Sequence, residues 1–399
     1  MESIDKSFSR EFQLEYQEEL LMSYSSKQQL TIGVPKEDLR NERRVALTPY
    51  TVKLLVENGM SVLVEAGAGE ASNYTDVEYS ESGAEIVEQT KLIFKADVVV
   101  KIAPPNAKQI DFLRKNQVLI SSLNIKTLER QFFQQLAHKK VTAIAFEYIK
   151  DEQGDSPFVQ LMSEITGRVA INVASDFLKD KKGKLLGRIA GNIPSEIIVI
   201  GTGAVAKSAV DSAIKIGALV KVFDNSISKL KAFERYFSMP IYTSILYPEI
   251  LKQEFPRADV VIGALSSDGV STPLISKELV QMMKKDAIVI DLTIDQGACF
   301  ETSKLTNFNK PTFLVKGVTH YGVPNIPSTV PRTASNVLSN IFLQQFSKFQ
   351  NYGSMNQFLK NDSNFRNGLY FYKGVLVNKR IGTIFDLPYQ DINLILAAF

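Results

Sequence analysis

The stretch IIVIGTGAVAKSAVDSAIKIGALVKVFD, residues 197–224, constrains this chain more than any other. Four apolar residues lead into Gly201-Thr202-Gly203, then a helix-length run, a second apolar strand and an acid at Asp224. Such an order predicts a strand, a tight turn, a helix and a parallel strand. Gly201 permits the turn. Gly203 lets a ligand's phosphates approach the backbone at the helix N-terminus, where unpaired N–H groups favour anions. Ala206 takes the small position where helix and strand pack closely. Asp224 stands at the right distance to accept from ribose hydroxyls, and a carboxylate there disfavours a ribose phosphate. The motif therefore predicts NAD rather than NADP. Asn225 and Ser226 add no positive charge, and Lys229 is the next cation along the chain. A glycine turn without a ligand is the plain alternative, but strand, turn, helix, strand and acid in order point to a dinucleotide.

The rest of the chain repeats the same alternation. LTIGVPKE, SVLVEAG, ADVVVKI, VLISSL and VTAIAFE read as strands, with helices over Thr51–Asn58, over GAEIVEQTKLIFK and over Leu128–His138. Pro104 and Pro105 stop the third strand. MSEITGRVAINVASDFLKD reads as a long bridging helix with Ser163 near its start. Four strands, ALVKVFD, ADVVIGAL, AIVIDLT and TFLVKG, follow IIVI, and NVLSNIFLQQFSKF reads as helix. Strands alternating with helices predict parallel sheets with helical crossovers. The expected class is α/β, with two Rossmann-like domains, helices on both faces of each sheet and a cleft between them. The two halves show no usable internal repeat.

Composition removes several function classes. Lys plus Arg number 46 against 43 acids in 399 residues, a balance that argues against a nucleic-acid binder. Cys299 stands alone, so no disulfide forms within the chain, and two histidines, His138 and His320, make a conventional metal centre improbable. The polar start, MESIDKSFSREFQLEYQEELLMSY, lacks a signal-peptide core and reads as an appended arm, residues 1–29, with a short amphipathic helix. No apolar run is long enough to span a bilayer. A cytoplasmic protein without a membrane partner is expected.

Several segments together are unusual: IGVPKEDLRNERRVALTP, VEAGAG, ADVVVKIAPP, MSEITGR, VIGTGAVA, VIDLTIDQGACFETS and HYGVPNIPSTVPRTAS. On these the chain resembles the alanine dehydrogenase family, related to the NAD-binding subunit of proton-translocating transhydrogenase. The resemblance implies an NAD-binding domain at 158–331 and a substrate domain made of 30–157 and 332–399. It also implies a homo-oligomer, hexamer or dimer, and oxidation of L-alanine by NAD and water to pyruvate, ammonia and NADH. A substrate carboxylate needs a cation, and the reaction needs a group that titrates near neutral pH. By the resemblance Arg44 binds the carboxylate, Asp295 is an acid at the nicotinamide end of the cleft, and Asn325 lies in the loop closing on the nicotinamide. Ser163, Glu164 and Arg168 match a segment lining the domain junction; capping and ion pairing are the plainer role for the last two.

Two positions depart from the family pattern. Lys101 fits the first of two family lysines, but Ala103 stands where the second binds the substrate carboxylate. Asn124 stands where the family has its catalytic histidine, and an amide cannot accept a proton near neutral pH. His320, before Tyr321, is a candidate replacement base, and Lys126 a candidate replacement cation. Three readings follow: an alanine dehydrogenase with replaced groups, an NAD-linked enzyme of another small amino or 2-oxo acid, or an NAD-binding protein without dehydrogenase activity.

Overall fold

The computed structural model describes residues 30–265, 274–349, 352 and 354–397; the expected N-terminal arm lies outside them. Two sheets organise these residues. The first holds β1 (Thr31–Val34), β2 (Ser61–Glu65), β3 (Glu85–Val87), β4 (Val98–Val100), β5 (Val118–Ser121) and β6 (Thr142–Ala145). The second holds β7 (Glu196–Ile200), β8 (Leu219–Asp224), β9 (Tyr242–Ile245), β10 (Val260–Gly263), β11 (Ile288–Asp291), β12 (Thr312–Val315) and β13 (Val318–Tyr321). The chain then returns to the first sheet with β14 (Leu369–Tyr372) and β15 (Val375–Leu376).

The spatial orders are β15-β14-β6-β5-β4-β1-β2-β3 and β12-β13-β11-β10-β7-β8-β9. Each core is the same parallel, doubly wound arrangement, reversing direction at its first strand. That reversal opens a crevice outside the carboxyl ends of the strands. The additions at one edge are antiparallel: β14 on β6, β15 on β14, and β12 on β13.

Alternation along the strands explains why both faces are covered. Val98 and Val100 face a core containing Leu338 and Phe342, while Val99 faces one containing Phe133 and Tyr370. Ile197 and Val199 face one side of the second sheet, Ile198 and Ile200 the other. A continuous apolar run is what a strand buried on both faces requires.

Among the described residues the three longest helices are α1 (Pro157–Lys182), α2 (Ala204–Ile216) and α3 (Pro331–Phe349). α1 carries the chain from the first sheet to the second. Ser163 is its seventh residue rather than near its start, because Pro157 opens the helix. α1 lies close on α2. A Cβ on Gly167 would come within 2.5 Å of the Val205 carbonyl oxygen and 2.6 Å of the Ala209 nitrogen.

Two other expectations are corrected. GAEIVEQTKLIFK is not one helix; it divides into β3 and a short helix, Thr90–Ile93. TFLVKG is not the last parallel strand; it forms β12, the antiparallel edge, and the following VTHY supplies the parallel β13. No helix among the described residues is long and apolar enough to cross a membrane.

Candidate active site

The carboxyl ends of the strands in both sheets meet at one cavity of about 260 Å³. Its wall takes Arg44, Phe146 and Glu147 from the first sheet's loops, Phe158, Met162 and Ser163 from α1, and Val205 from the first turn of α2. Asp295 and Asn325 come from the loops after β11 and β13. Four residues expected at the cleft, Arg44, Asp295, Asn325 and Ser163, therefore line one space.

Arg44 is buried and fully braced. Its Nε donates to Glu42 Oε1 at 2.7 Å and its Nη2 to Glu42 Oε2 at 2.6 Å, a two-point pair. Nη2 also donates to Asn325 Oδ1 at 2.9 Å, and Nη1 meets the Met162 sulfur at 3.3 Å. Asn325 sits at φ 53°, a backbone state asparagine tolerates better than most residues. Its amide nitrogen donates to Glu42 Oε2 and to the Asn41 carbonyl, both at 2.9 Å. Burial alone would raise the Glu42 carboxyl, but Arg44's charge and hydrogen bonds outweigh it and hold the group below the usual range. Glu42 escaped the sequence reading. Its signal was the two-residue spacing from Arg44.

Asp295 is half-buried, and burial raises its carboxyl against the opposing pull of its own backbone N–H and of Lys126. The loop that carries it is fastened by Asp291. One Asp291 oxygen accepts from the Thr293 N–H and hydroxyl, the other from the Cys299 N–H at 2.8 Å and the Ser303 hydroxyl. Lys126 reaches across from the first sheet's side and donates to the Gln296 carbonyl. It therefore stands beside Asp295 at the rim, whereas Lys101 does not face the cavity. The Lys101 ammonium is buried against Glu37 at 2.9 Å and the Ala103 carbonyl at 2.6 Å. Ala103 is half-buried and off the cavity wall. Among the described residues Arg44 is the one cationic side chain lining the cavity.

Neither Asn124, at the position of the family histidine, nor His320, the candidate replacement base, is on the cavity wall. Asn124 is exposed and outside the wall. His320 is buried on β13, with Nε2 2.8 Å from the Thr302 hydroxyl, Nδ1 3.1 Å from the Val318 carbonyl and its ring stacked on Phe313. Burial lowers its pKa, and both nitrogens are engaged. It is placed by β13, a strand the sequence reading did not assign.

Glu147, which that reading did not single out, is on the wall. It follows β6, and its Oε1 accepts from the Leu123 N–H at 2.6 Å. Its Oε2 is buried with no hydrogen-bond partner among the described residues. Burial pushes its carboxyl up to about 7 against two backbone hydrogen bonds. An acid just past the carboxyl end of a buried strand was the available signal.

The glycine loop folds as its sequence requires. Gly201 takes φ 113°, and a Cβ there would lie 2.6 Å from the Ala264 carbonyl oxygen. Gly203 caps α2 with an ordinary backbone, and a Cβ there would touch nothing within 4 Å. Its small size thus leaves open space over the helix N-terminus, as an entering phosphate needs. Ala206 is buried under the helix. Asp224 is buried at the end of β8, accepting from the Thr202 hydroxyl at 2.7 Å and the Ser226 N–H at 3.0 Å. These residues fit a dinucleotide. Glu164 and Arg168 pair with each other at 2.7 Å on the exposed face of α1.

Known proteins share this arrangement. Residues 33–166 match the family model described as alanine dehydrogenase/PNT, N-terminal domain, and residues 170–379 match its C-terminal counterpart. Alanine dehydrogenase 2 of Staphylococcus aureus (strain Mu50) is 34% identical over 368 residues, 91% of this chain and 98% of the relative. A solved L-alanine dehydrogenase gives a TM-score of 0.82 at 32% identity, covering 90% of this chain and 99% of that one. A transhydrogenase from Sinorhizobium meliloti is alike in fold, with a TM-score of 0.74 at 22% identity over 88% of this chain and 99% of its own. The chain belongs to the alanine dehydrogenase/PNT family.

Proposed function

We propose that this protein is an NAD-dependent oxidoreductase of a small amino acid and its 2-oxo acid, with L-alanine and pyruvate the first pair to test. The observation that carries the reading is the single cavity shared by the first turn of α2 and by Arg44. A cofactor seated on the glycine loop and a carboxylate held by Arg44 would then share one space. The family relatives named as alanine dehydrogenases support the choice of substrate class.

The chain's residues divide the work. The open N-terminus of α2 receives the pyrophosphate, and Asp224 receives the adenosine ribose. When bound, NAD supplies the redox capacity, accepting two electrons and one hydrogen from C2 of the amino acid. Arg44 orients the substrate carboxylate. Its fork toward Glu42 is already taken, so the carboxylate approaches the Nη1 edge, where the Met162 sulfur is only a weak acceptor. Glu42 and Asn325 keep that guanidinium in one rotamer, which lowers the entropy lost on binding. The apolar wall excludes water from the reacting carbon and strengthens these charge contacts.

Calorimetric titration with NADH and NADPH tests the cofactor half of the reading. NADH should bind more tightly, and Asp224→Ala should weaken NADH while relaxing the preference. Equal or tighter NADPH binding in the natural protein would remove the role given to Asp224. A screen of 2-oxo acids with NADH and ammonia tests the substrate half. Arg44→Ala should lower the best activity found by roughly 10²-fold or more, a few kcal/mol of transition-state binding.

A further inference from the structure

We infer that Glu147 is the proton-carrying acid/base group of this site, doing in this chain what Asn124 cannot do. The inference rests on the oxidoreductase reading above and goes beyond it. Its ground is placement. Oε1 is anchored by the Leu123 N–H, one residue from Asn124, so the carboxyl stands beside the position that lacks an imidazole. Oε2 is buried, has no hydrogen-bond partner among the described residues, and belongs to a residue of the cavity wall. A small turn of the side chain would bring that unpaired oxygen to a donor or acceptor entering the cavity. Unmet polarity of this kind is costly and uncommon.

Burial supports the same role, because a carboxyl titrating at about 7 can both take and return a proton at neutral pH. The charged and titratable groups around it leave that balance intact. Arg44 and Asp295 share the cavity wall, and Lys126 stands at the rim beside Asp295. Tyr148 and Tyr370 adjoin Glu147, and burial raises both phenols, so they stay neutral where Glu147 titrates. The charge of Arg380 opposes that rise at Tyr148.

The proton steps then balance. Ionised Glu147 takes one proton from the substrate ammonium and passes it to solvent. The C2–H bond breaks, its electron pair and hydrogen leave to the dinucleotide, and a C2=N iminium forms. Water adds to C2, and Glu147 takes the water's proton. It gives that proton to the amine nitrogen, the C–N bond breaks with its electrons on nitrogen, and the C–O double bond forms as the hydroxyl proton returns to Glu147. Ammonia, the 2-oxo acid and one net proton beyond the ammonium's own are released.

Two measurements test this. The first needs neither cofactor nor turnover: infrared difference titration of the natural protein against Glu147→Gln, following the carboxylic-acid carbonyl. A band with a midpoint at about 7, absent from the variant, is expected. No glutamic acid titrating there overturns the inference. The second is the pH profile of oxo-acid amination. Glu147→Gln should bind NADH normally, lose roughly 10²–10⁴-fold in rate and lose the profile's limb near neutrality. Glu147→Asp should keep a limb at a lower rate. Turnover in Glu147→Gln with an unchanged profile overturns this inference alone. Failure of the natural protein to bind NADH, or to act on any acid in the screen, overturns the oxidoreductase reading and this one with it.

Discussion

At the scale of single residues the site is a set of buried charges, each with a stated counterpart or a stated lack of one. Arg44 has Glu42, and removing one member of a buried pair leaves the other uncompensated. Glu42→Ala should therefore cost about 3–5 kcal/mol of stability, read from the denaturant midpoint. Replacing both members by apolar side chains of similar volume should restore most of that loss; no restoration would mean the pair does not act as a unit. Glu147 makes the opposite case, a carboxyl whose native pKa is raised. Below its unfolded value, near 4.5, both states hold the proton and the native state has its full stability. As pH rises toward about 7 the unfolded chain releases the proton first, so stability is lost, and the loss is complete above that value. Glu147→Gln has no such proton to lose. Thermal melts of the two proteins should diverge between those pH values, with the variant increasingly the more stable, and run parallel above. Identical pH dependence would show that Glu147 ionises normally.

At the scale of elements, the packing of α1 on α2 decides where the cofactor loop points. Gly167 is the contact, with Val205 and Ala209 backbone atoms too near for a side chain. Gly167→Ala should push the helices apart, costing about 1–3 kcal/mol and weakening NADH binding together. Retained affinity at lowered stability would separate the helix contact from the loop. The cofactor loop was legible in the sequence, since Gly201 has a turning reason and Ala206 a packing reason that only a small residue meets, whereas the Gly167 contact was not read there. Other elements were not. β3 is three residues long inside a run with helical spacing, and pairing to β2, not local preference, makes it a strand. β13 carries Thr319 and His320 and looks like a loop until its neighbours β11 and β12 bury it. His320, proposed as a base from its place before Tyr321, is held by that strand in the core. Arg44, Asp295 and Asn325 were found because their motifs are distinctive. Glu147 was missed because its partner, the Leu123 N–H, is supplied by a distant loop that no local pattern reveals.

At the scale of the molecule, the first sheet is closed by residues that come last. β14 pairs with β6 across 223 residues of intervening chain, Phe146 to Gly368, and Tyr370 and Phe371 are fully buried there. A chain ending at residue 350 should leave β6 as a bare edge beside an open core. Such edges recruit other chains, so the truncated protein should aggregate while a solitary 158–331 fragment stays soluble; a soluble, cooperative truncation product would show that β14 only decorates the sheet. The returning strands also set a timetable. A ribosome delivers β7 through β13 as one uninterrupted run, so the second sheet can assemble while the first still lacks its edge. The half that carries Arg44 and Glu147 is started first and finished last, so its edge stays unpaired until the chain's final strands emerge.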